Sequence, residues 1–342
     1  MLDHKDFSHR PPLTHLKRLT TKDGLIQHAD KEVPDPSFGY SIDDNARALI
    51  VCLWHHAAFK DESILRLAEI YFGYLQKAEK EGGSFHNFLS YTEKILDAEG
   101  SEDSIARAIW ALGETVRLCP DQAMQQMARM MLERCSIERH LLHHHLRTKA
   151  YILLGLAAAG QEPMVRIWAN ALIDIYAENS KPTWCWFESS VRYANGILPY
   201  ALTQAFLVTK NKKYLEVAEE SFAWLDTVSR VDGLPSPIGQ NGWFFEGGKR
   251  AQFDQQPLEA ADMVLAATAL YRATKKKAYR DLALEWMNWY YGHNTLKLSL
   301  FNRETGGIYD ALTPGGVNEN QGAESIVTYL LAYLALTQLA DE

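Results

Sequence analysis

Six times along the chain a short polar stretch opens into a long apolar run of helical periodicity, with acids or amides repeatedly at the opening. The openings are Ser41–Arg47, Ser101–Arg107, His145–Ala150, Tyr193–Leu198, Asp254–Glu259 and Asn320–Glu324, at steps of roughly 45 to 65 residues. They introduce runs at about 43–57, 103–117, 147–159, 195–208, 256–273 and 321–339. These are small and apolar nearly all round, as in Ile152-Leu153-Leu154-Gly155-Leu156-Ala157-Ala158-Ala159, and such helices are buried on both sides. Between them lie amphipathic patterns at about 61–79, 121–135, 163–178, 212–228 and 276–291, with Lys, Arg and Glu on one face. These predict an outer layer, and residues 11–21 are its best sixth member, Pro11-Pro12 suiting a first helical turn. One buried and one amphipathic helix per repeat is the pattern of stacked helix pairs. Six pairs can close into a ring, which places all six polar openings around one mouth.

Before several inner helices stands a glycine followed by alternating apolar and polar residues: Asp23–His28, Gly82–Phe88, Asp232–Pro237 and Gly306–Asp310. Their spacing predicts short β-hairpins that bring a polar residue near the helix mouth. At 342 residues the chain could hold two domains, but the repeat runs nearly end to end and predicts one, residues 1–342.

Apolar residues make up 47% and charged residues 23%, an ordinary globular balance. The net charge of -8 lacks the basic footprint of a nucleic-acid binder. No apolar run reaches the ~18 residues a membrane span needs. The start, Met1-Leu2-Asp3-His4-Lys5-Asp6, lacks the charged-then-apolar pattern of a secretion signal, and a cytoplasmic location is expected. Cys52, Cys119, Cys135 and Cys185 show no C-x-x-C spacing and are expected as buried, reduced thiols. A large helical core absorbs many of the 9 Trp and 16 Tyr. Trp184, Trp186 and Trp243, however, fall in polar connections, where core burial explains them less well.

Tyr40-Ser41-Ile42-Asp43-Asp44-Asn45-Ala46-Arg47-Ala48-Leu49, taken with Asp254-Gln255-Gln256-Pro257-Leu258-Glu259-Ala260 and Asn320-Gln321-Gly322-Ala323-Glu324-Ser325, resembles the chains of the six-hairpin glycosidase superfamily. The likeness runs from about residue 15 to 335 and is nearer to bacterial glycosyltransferase-like proteins, found beside or fused to true glycosyltransferases. It implies an all-α (α/α)6 toroid, a carbohydrate substrate, an active site at the N-terminal ends of the inner helices, and association with a glycosyltransferase. The superfamily also contains epimerases and lyases, so the fold does not fix the reaction. No strand–glycine loop–helix alternation supports a nucleotide-sugar domain, and no cofactor is expected.

Asp43 and Asp103 each stand four residues before an arginine, Arg47 and Arg107. That spacing fits a capped helix start with an i,i+4 ion pair, or two equivalent carboxylates facing one cavity. Either Asp43 or its neighbour Asp44 can be the cap while the other points inward. Glu188, in Trp184-Cys185-Trp186-Phe187-Glu188, combines an acid with aromatic faces that stack on pyranose rings, and an apolar setting would raise its pKa as a general acid requires. Gln256 with Glu259, and Asn320 with Glu324, offer an amide and an acid that grip adjacent hydroxyls, or form capping boxes. Asp254 is a candidate for catalysis or binding. His28 and His86 occupy matching hairpin positions, as hydroxyl ligands, as acid–base groups of an epimerase, or as turn residues bonded to backbone. The cluster His140, His143, His144, His145 has no carboxylate or Cys at ligand spacing, so no metal is expected.

The leading expectation is therefore an inverting glycoside hydrolase acting on a short oligosaccharide. Glu188 is its acid and one of Asp43, Asp103 and Asp254 its base, the carboxyls of an inverting site being ~6.5–9.5 Å apart. The alternatives are a sugar epimerase or isomerase working through His28 or His86, and a non-catalytic glycan-binding partner of a glycosyltransferase.

Overall fold

A computed structural model describes residues 2–135, 137 and 145–340. Its α-helices are α1 (Thr14–Leu19), α2 (Ile42–Phe59), α3 (Leu65–Ala78), α4 (Glu102–Leu118), α5 (Gln122–Arg134), α6 (Leu146–Ala158), α7 (Glu162–Asn179), α8 (Ile197–Thr209), α9 (Lys212–Val228), α10 (Pro257–Thr274), α11 (Lys277–Asn288) and α12 (Ala323–Ala340). The even-numbered helices are the apolar runs. Each packs on the next, and α12 returns to α2, so the inner ring is closed. Each odd-numbered helix from α3 to α11 packs outside the inner helix before it, and α1 lies outside α12. The architecture is the (α/α)6 toroid.

Local chemistry sets the ends of these helices. Ser41 and Ser101 cap α2 and α4 by accepting from the Asp44 and Ser104 N–H groups. Lys60, Lys210 and Lys275 end α2, α8 and α10 in the left-handed region, reversing the chain into the next outer helix. Helices α4 and α6 approach most closely where Gly113 and Gly155 face each other, since a Cβ at Gly113 would stand 2.1 Å from the Gly155 carbonyl oxygen.

The sixth outer position differs from expectation. Pro11 and Pro12 precede α1 rather than start it, and α1 is only six residues long. The remaining cover on α12 is a 3₁₀ turn, His4–Ser8, whose buried Phe7 packs edge-on against Tyr333 at 4.9 Å.

Of the four glycine segments, Asp232–Pro237 lies in a paired turn, Arg230–Val231 with Leu234–Pro235, while the other three are closed by single bridges, Thr20–Leu25, Glu79–Phe85 and Phe301–Ile308. The pairs Ala29–Asp30 with Val33–Pro34 and Ala311–Thr313 with Gly316–Asn318 form just after the segments Asp23–His28 and Gly306–Asp310. Two further pairs join neighbouring repeats, Tyr40–Ser41 with Phe88–Leu89 and Ser190–Val191 with Phe244–Phe245. Cys52, Cys119 and Cys135 are buried and Cys185 is half-buried. Among the described residues no helix is long and apolar enough to cross a membrane.

Candidate active site

Contacts between helix starts run around one end of the ring. Arg107 of α4 donates to Asp43 of α2 at 2.9 Å, and Thr148 of α6 donates to Asp103 of α4 at 2.6 Å. Arg147 of α6 donates to Asn195, just before α8, at 3.1 Å, and Asn195 donates to Glu259 of α10 at 2.7 Å. Arg47 of α2 donates to Glu324 of α12 at 3.0 Å. The polar openings thus share one face, and the inner helices run parallel. The expected pairing of Asp103 with Arg107 one turn on does not occur: Arg107 crosses to the neighbouring repeat. Arg47 likewise pairs with the Asp44 carboxylate at 3.2 Å and with Glu324, and takes from Asp43 only its backbone carbonyl.

Among α2, α10 and α12 the mouth deepens into a cavity of about 280 Å³. Its lining includes Asp43, Asp44, Arg47, Gln256, Glu324 and His28, all sequence candidates. Arg47 is buried and bridges two carboxylates. Burial pushes Asp44 up to about 6, against the pull of the Arg47 guanidinium, and the Glu324 charge adds to the rise. Glu324 goes the other way. Burial alone would raise it, but the Arg47 and Arg107 guanidiniums hold it below the usual carboxylate range. Its side chain is 42% exposed and so open to the cavity. Asp43 receives Arg107 and keeps a partly exposed carboxylate.

Other candidates lie elsewhere or are already engaged. Glu188 is ion-paired with Arg147 and is not among the residues lining this cavity, so its setting is a guanidinium contact rather than the apolar pocket expected. Trp184 and Trp186 are buried, packed on Trp224 at 4.7 and 5.6 Å between ring centroids, and offer no face to a sugar. Trp243 is half-buried and lies off the cavity. Asp103 is held by Thr148 and by the Tyr193 hydroxyl at 2.6 Å. Asp254 is half-buried, again not at the cavity lining.

Glu259 clamps the turn before α8. Its carboxylate accepts from the backbone N–H groups of Ala194 and Asn195 and from the Asn195 amide, fixing a turn in which Ala194 has φ 47°. Burial pushes Glu259 up to about 7, against those hydrogen bonds. Asn320 accepts from the Lys31 N–H at 3.0 Å and so supports a hairpin turn. His86 bonds the Asp97 carbonyl oxygen through Nδ1 at 2.8 Å, the turn role. His140, His143 and His144 lie outside the described residues; His145 is the residue before α6.

Four mouth residues escaped the sequence reading. Arg147 stands in the first turn of α6, within a segment recognised as an opening, but without an acid four residues before it. Tyr193 begins the next opening; its hydroxyl engages Asp103 while Arg147 lies 5.1 Å over its ring. Asp310 closes the Gly306–Asp310 hairpin and lines the cavity. Its Oδ1 accepts from the Gly322 N–H at 2.8 Å and the Ser325 hydroxyl at 2.6 Å, and burial raises its pKa against those two bonds. Asp262 is an acid inside an otherwise apolar run, one turn beyond Glu259. It is 3% exposed, its Oδ2 has no hydrogen-bond partner among the described residues, and burial with the nearby Glu259 holds it well above the usual range. A lone acid in an apolar run is the signal that would have found it.

No family model matches the chain, and no curated protein sequence matches it. Solved structures do. A cellobiose 2-epimerase from Bacillus thermoamylovorans aligns with a TM-score of 0.77 at 12% identity, over 99% of this chain and 98% of that one. A D-mannose isomerase aligns with a TM-score of 0.74 at 12% identity, over 98% of this chain and 97% of that one. An α-1,6-mannanase of Salegentibacter sp. aligns with a TM-score of 0.67 at 13% identity, over 99% of this chain and 100% of that one. That last structure is an inactive variant, two consecutive aspartates replaced by alanine, in complex with α-1,6-mannotetrose. At these identities the similarity is one of fold.

Proposed function

We propose that the protein is a carbohydrate-processing enzyme and, within that class, a glycoside hydrolase working at the cavity between α2 and α12. The observation that carries this reading is that Asp310 and Glu324 line one cavity while their surroundings push their protonation in opposite directions. Two carboxyls driven apart in this way divide naturally into an acid and a base.

Asp310 has one oxygen engaged by two donors, which leaves the other to carry a proton to the glycosidic oxygen of the leaving group. Glu324, kept ionised by Arg47, takes a proton from the attacking water. Asp43 and Asp44 form a consecutive aspartate pair at the same cavity, the kind of pair removed in the inactive α-1,6-mannanase. Structurally similar proteins include epimerases, but among the described residues His28 is the one histidine lining the cavity, and His86 is turned onto backbone.

The test uses aryl glycosides of graded leaving-group ability. Asp310→Asn should lose ~10²–10⁴ in kcat/KM with a poor leaving group and far less with dinitrophenolate, which needs little protonation. Glu324→Gln should be impaired on both. NMR of the fresh product should show inversion, the outcome of a site whose carboxyls stand ~6.5–9.5 Å apart. Wild-type activity of Asp310→Asn on the poor leaving group would remove the acid assignment. A free sugar changing configuration without incorporation of solvent oxygen would replace hydrolysis by epimerisation.

A further inference from the structure

The opposite end of the ring holds a second cavity, also of about 280 Å³, enclosed by residues from all six inner helices. Its floor is aromatic: Trp54 of α2, Trp110 of α4 and Tyr200 of α8, with Trp110 edge-to-face to the other two at 6.5 and 6.4 Å. Its wall is mostly aliphatic, with Leu154, Leu207, Val208 and Leu265, and a set of polar side chains is interspersed among these. Glu114, 5% exposed, accepts from Arg117 Nε at 3.1 Å and Nη2 at 2.5 Å. Across the cavity Arg272 Nη1 donates to Gln338 Oε1 at 3.0 Å, and Gln204 lines the wall between them. The Trp54 indole N–H is buried without a hydrogen-bond partner among the described residues.

We propose that this cavity is a second binding site, for a neutral polyhydroxylated ligand of monosaccharide size. The inference stands apart from the reading of the mouth. Its volume lies at the lower end of small-molecule sites, roughly 300 Å³, which fits one ring rather than a chain. The lining supplies donors (Arg117, Arg272, Gln204, Gln338) and acceptors (Glu114 and the amide oxygens) around an apolar floor. A ring of hydroxyls can use both kinds of group at once, and its C–H face suits an aromatic floor.

Charge argues against a compact anion. Although two guanidiniums meet one carboxylate here, each is already bonded, and the inner helices all end at this face. Their C-termini contribute about half a negative charge each, a field that opposes an anion and leaves a neutral ligand unaffected.

Calorimetric titration of D-mannose, D-glucose and inorganic phosphate into the intact protein tests this. At least one sugar should bind saturably, and the binding should survive Glu324→Gln at the mouth. It should weaken by about tenfold in Arg272→Leu, the loss of a charge-assisted hydrogen bond. Arg272 lies on the surface, so this variant should keep the wild-type melting temperature within a few degrees. Absence of binding by both sugars, sugar binding indifferent to Arg272→Leu, or phosphate binding in place of sugar would each overturn the proposal.

Discussion

Arg107 of α4 donates from Nη1 to Oδ1 of Asp43 on α2 at 2.9 Å, joining two repeats rather than two turns of one helix. With Arg47 on Glu324 and Arg147 on Glu188, it makes the mouth a belt in which each buried guanidinium reaches a carboxylate from another part of the chain. Buried arginines in such a belt hold the helix starts in register and fix the carboxylates they meet.

The belt predicts which charges are coupled. Arg107→Ala should destabilise the protein by about 2–4 kcal/mol, somewhat less than a fully buried pair because Asp43 is partly exposed. A double-mutant cycle of Arg107→Ala with Asp43→Asn should give a coupling above ~1 kcal/mol, and the same cycle with Asp103→Asn, which acts on Arg107 through charge without an ion-pair contact, should give a smaller one. Denaturant unfolding of the wild type and the five variants decides it; the reverse ordering would restore pairing within the helix.

Glu259 predicts a pH dependence. Its pKa in the fold is about 7 against the usual 4.5, so between those values the folded state binds more protons than the unfolded state. Stability from this group is therefore full below about pH 4.5 and falls as pH rises through 7, by roughly 3 kcal/mol at most. Asp44, raised to about 6, contributes with the same sign. Glu259→Gln removes the Glu259 part of the slope and also turns one of the two acceptor oxygens into an NH2 donor that faces N–H groups of Ala194 or Asn195. Its destabilisation relative to wild type should therefore be larger at pH 5 than at pH 8. Urea unfolding at both pH values measures this, and a gap that widens with pH would contradict the assignment.

What the sequence made legible, and what it did not, follows from the range of the interactions. The inner helices appear within one or two residues of their predicted bounds, because apolar periodicity and Ser caps are local; α6 and α10 also end within one residue. The shortened α1 did not follow, since its cover on α12 is shared with a turn around Phe7. Trp184 and Trp186 looked exposed because their own segment is polar. Trp224, some forty residues on in α9, is what buries them. At the mouth, Asp43, Asp44, Arg47, Gln256 and Glu324 were found because the repeat places them at helix starts. Asp310 arrives from a hairpin and Arg147 pairs with an acid from another repeat, and no local spacing records either meeting.

The α4–α6 contact gives a prediction about the scaffold. Gly113→Ala would set a Cβ 2.1 Å from the Gly155 carbonyl oxygen, so the helices must separate. The gain in helix propensity, about 1 kcal/mol, is outweighed, and a net loss of about 1–3 kcal/mol is expected. Gly73→Ala on the exposed face of α3 meets nothing within 4 Å and should instead stabilise by about 0.5–1 kcal/mol. Thermal unfolding of the two variants should shift in opposite directions, and a shared direction would show that propensity rather than packing governs both.

Glu188 separates the two accounts of the site. As the acid, its loss would slow hydrolysis selectively for poor leaving groups. As the partner of Arg147, which is buried and also holds Asn195 and the Tyr193 carbonyl, it positions the α6 and α8 openings instead. Glu188→Gln should then slow poor and good leaving groups by the same factor, with a modest fall in stability of about 1 kcal/mol because Glu188 is partly exposed. Asp310→Asn, by contrast, should show the leaving-group dependence. Plotting log kcat/KM against leaving-group pKa for both variants makes the comparison direct. A steeper slope for Glu188→Gln than for wild type, with an unchanged slope for Asp310→Asn, would return the acid role to Glu188 and move the reacting centre from α12 toward α6.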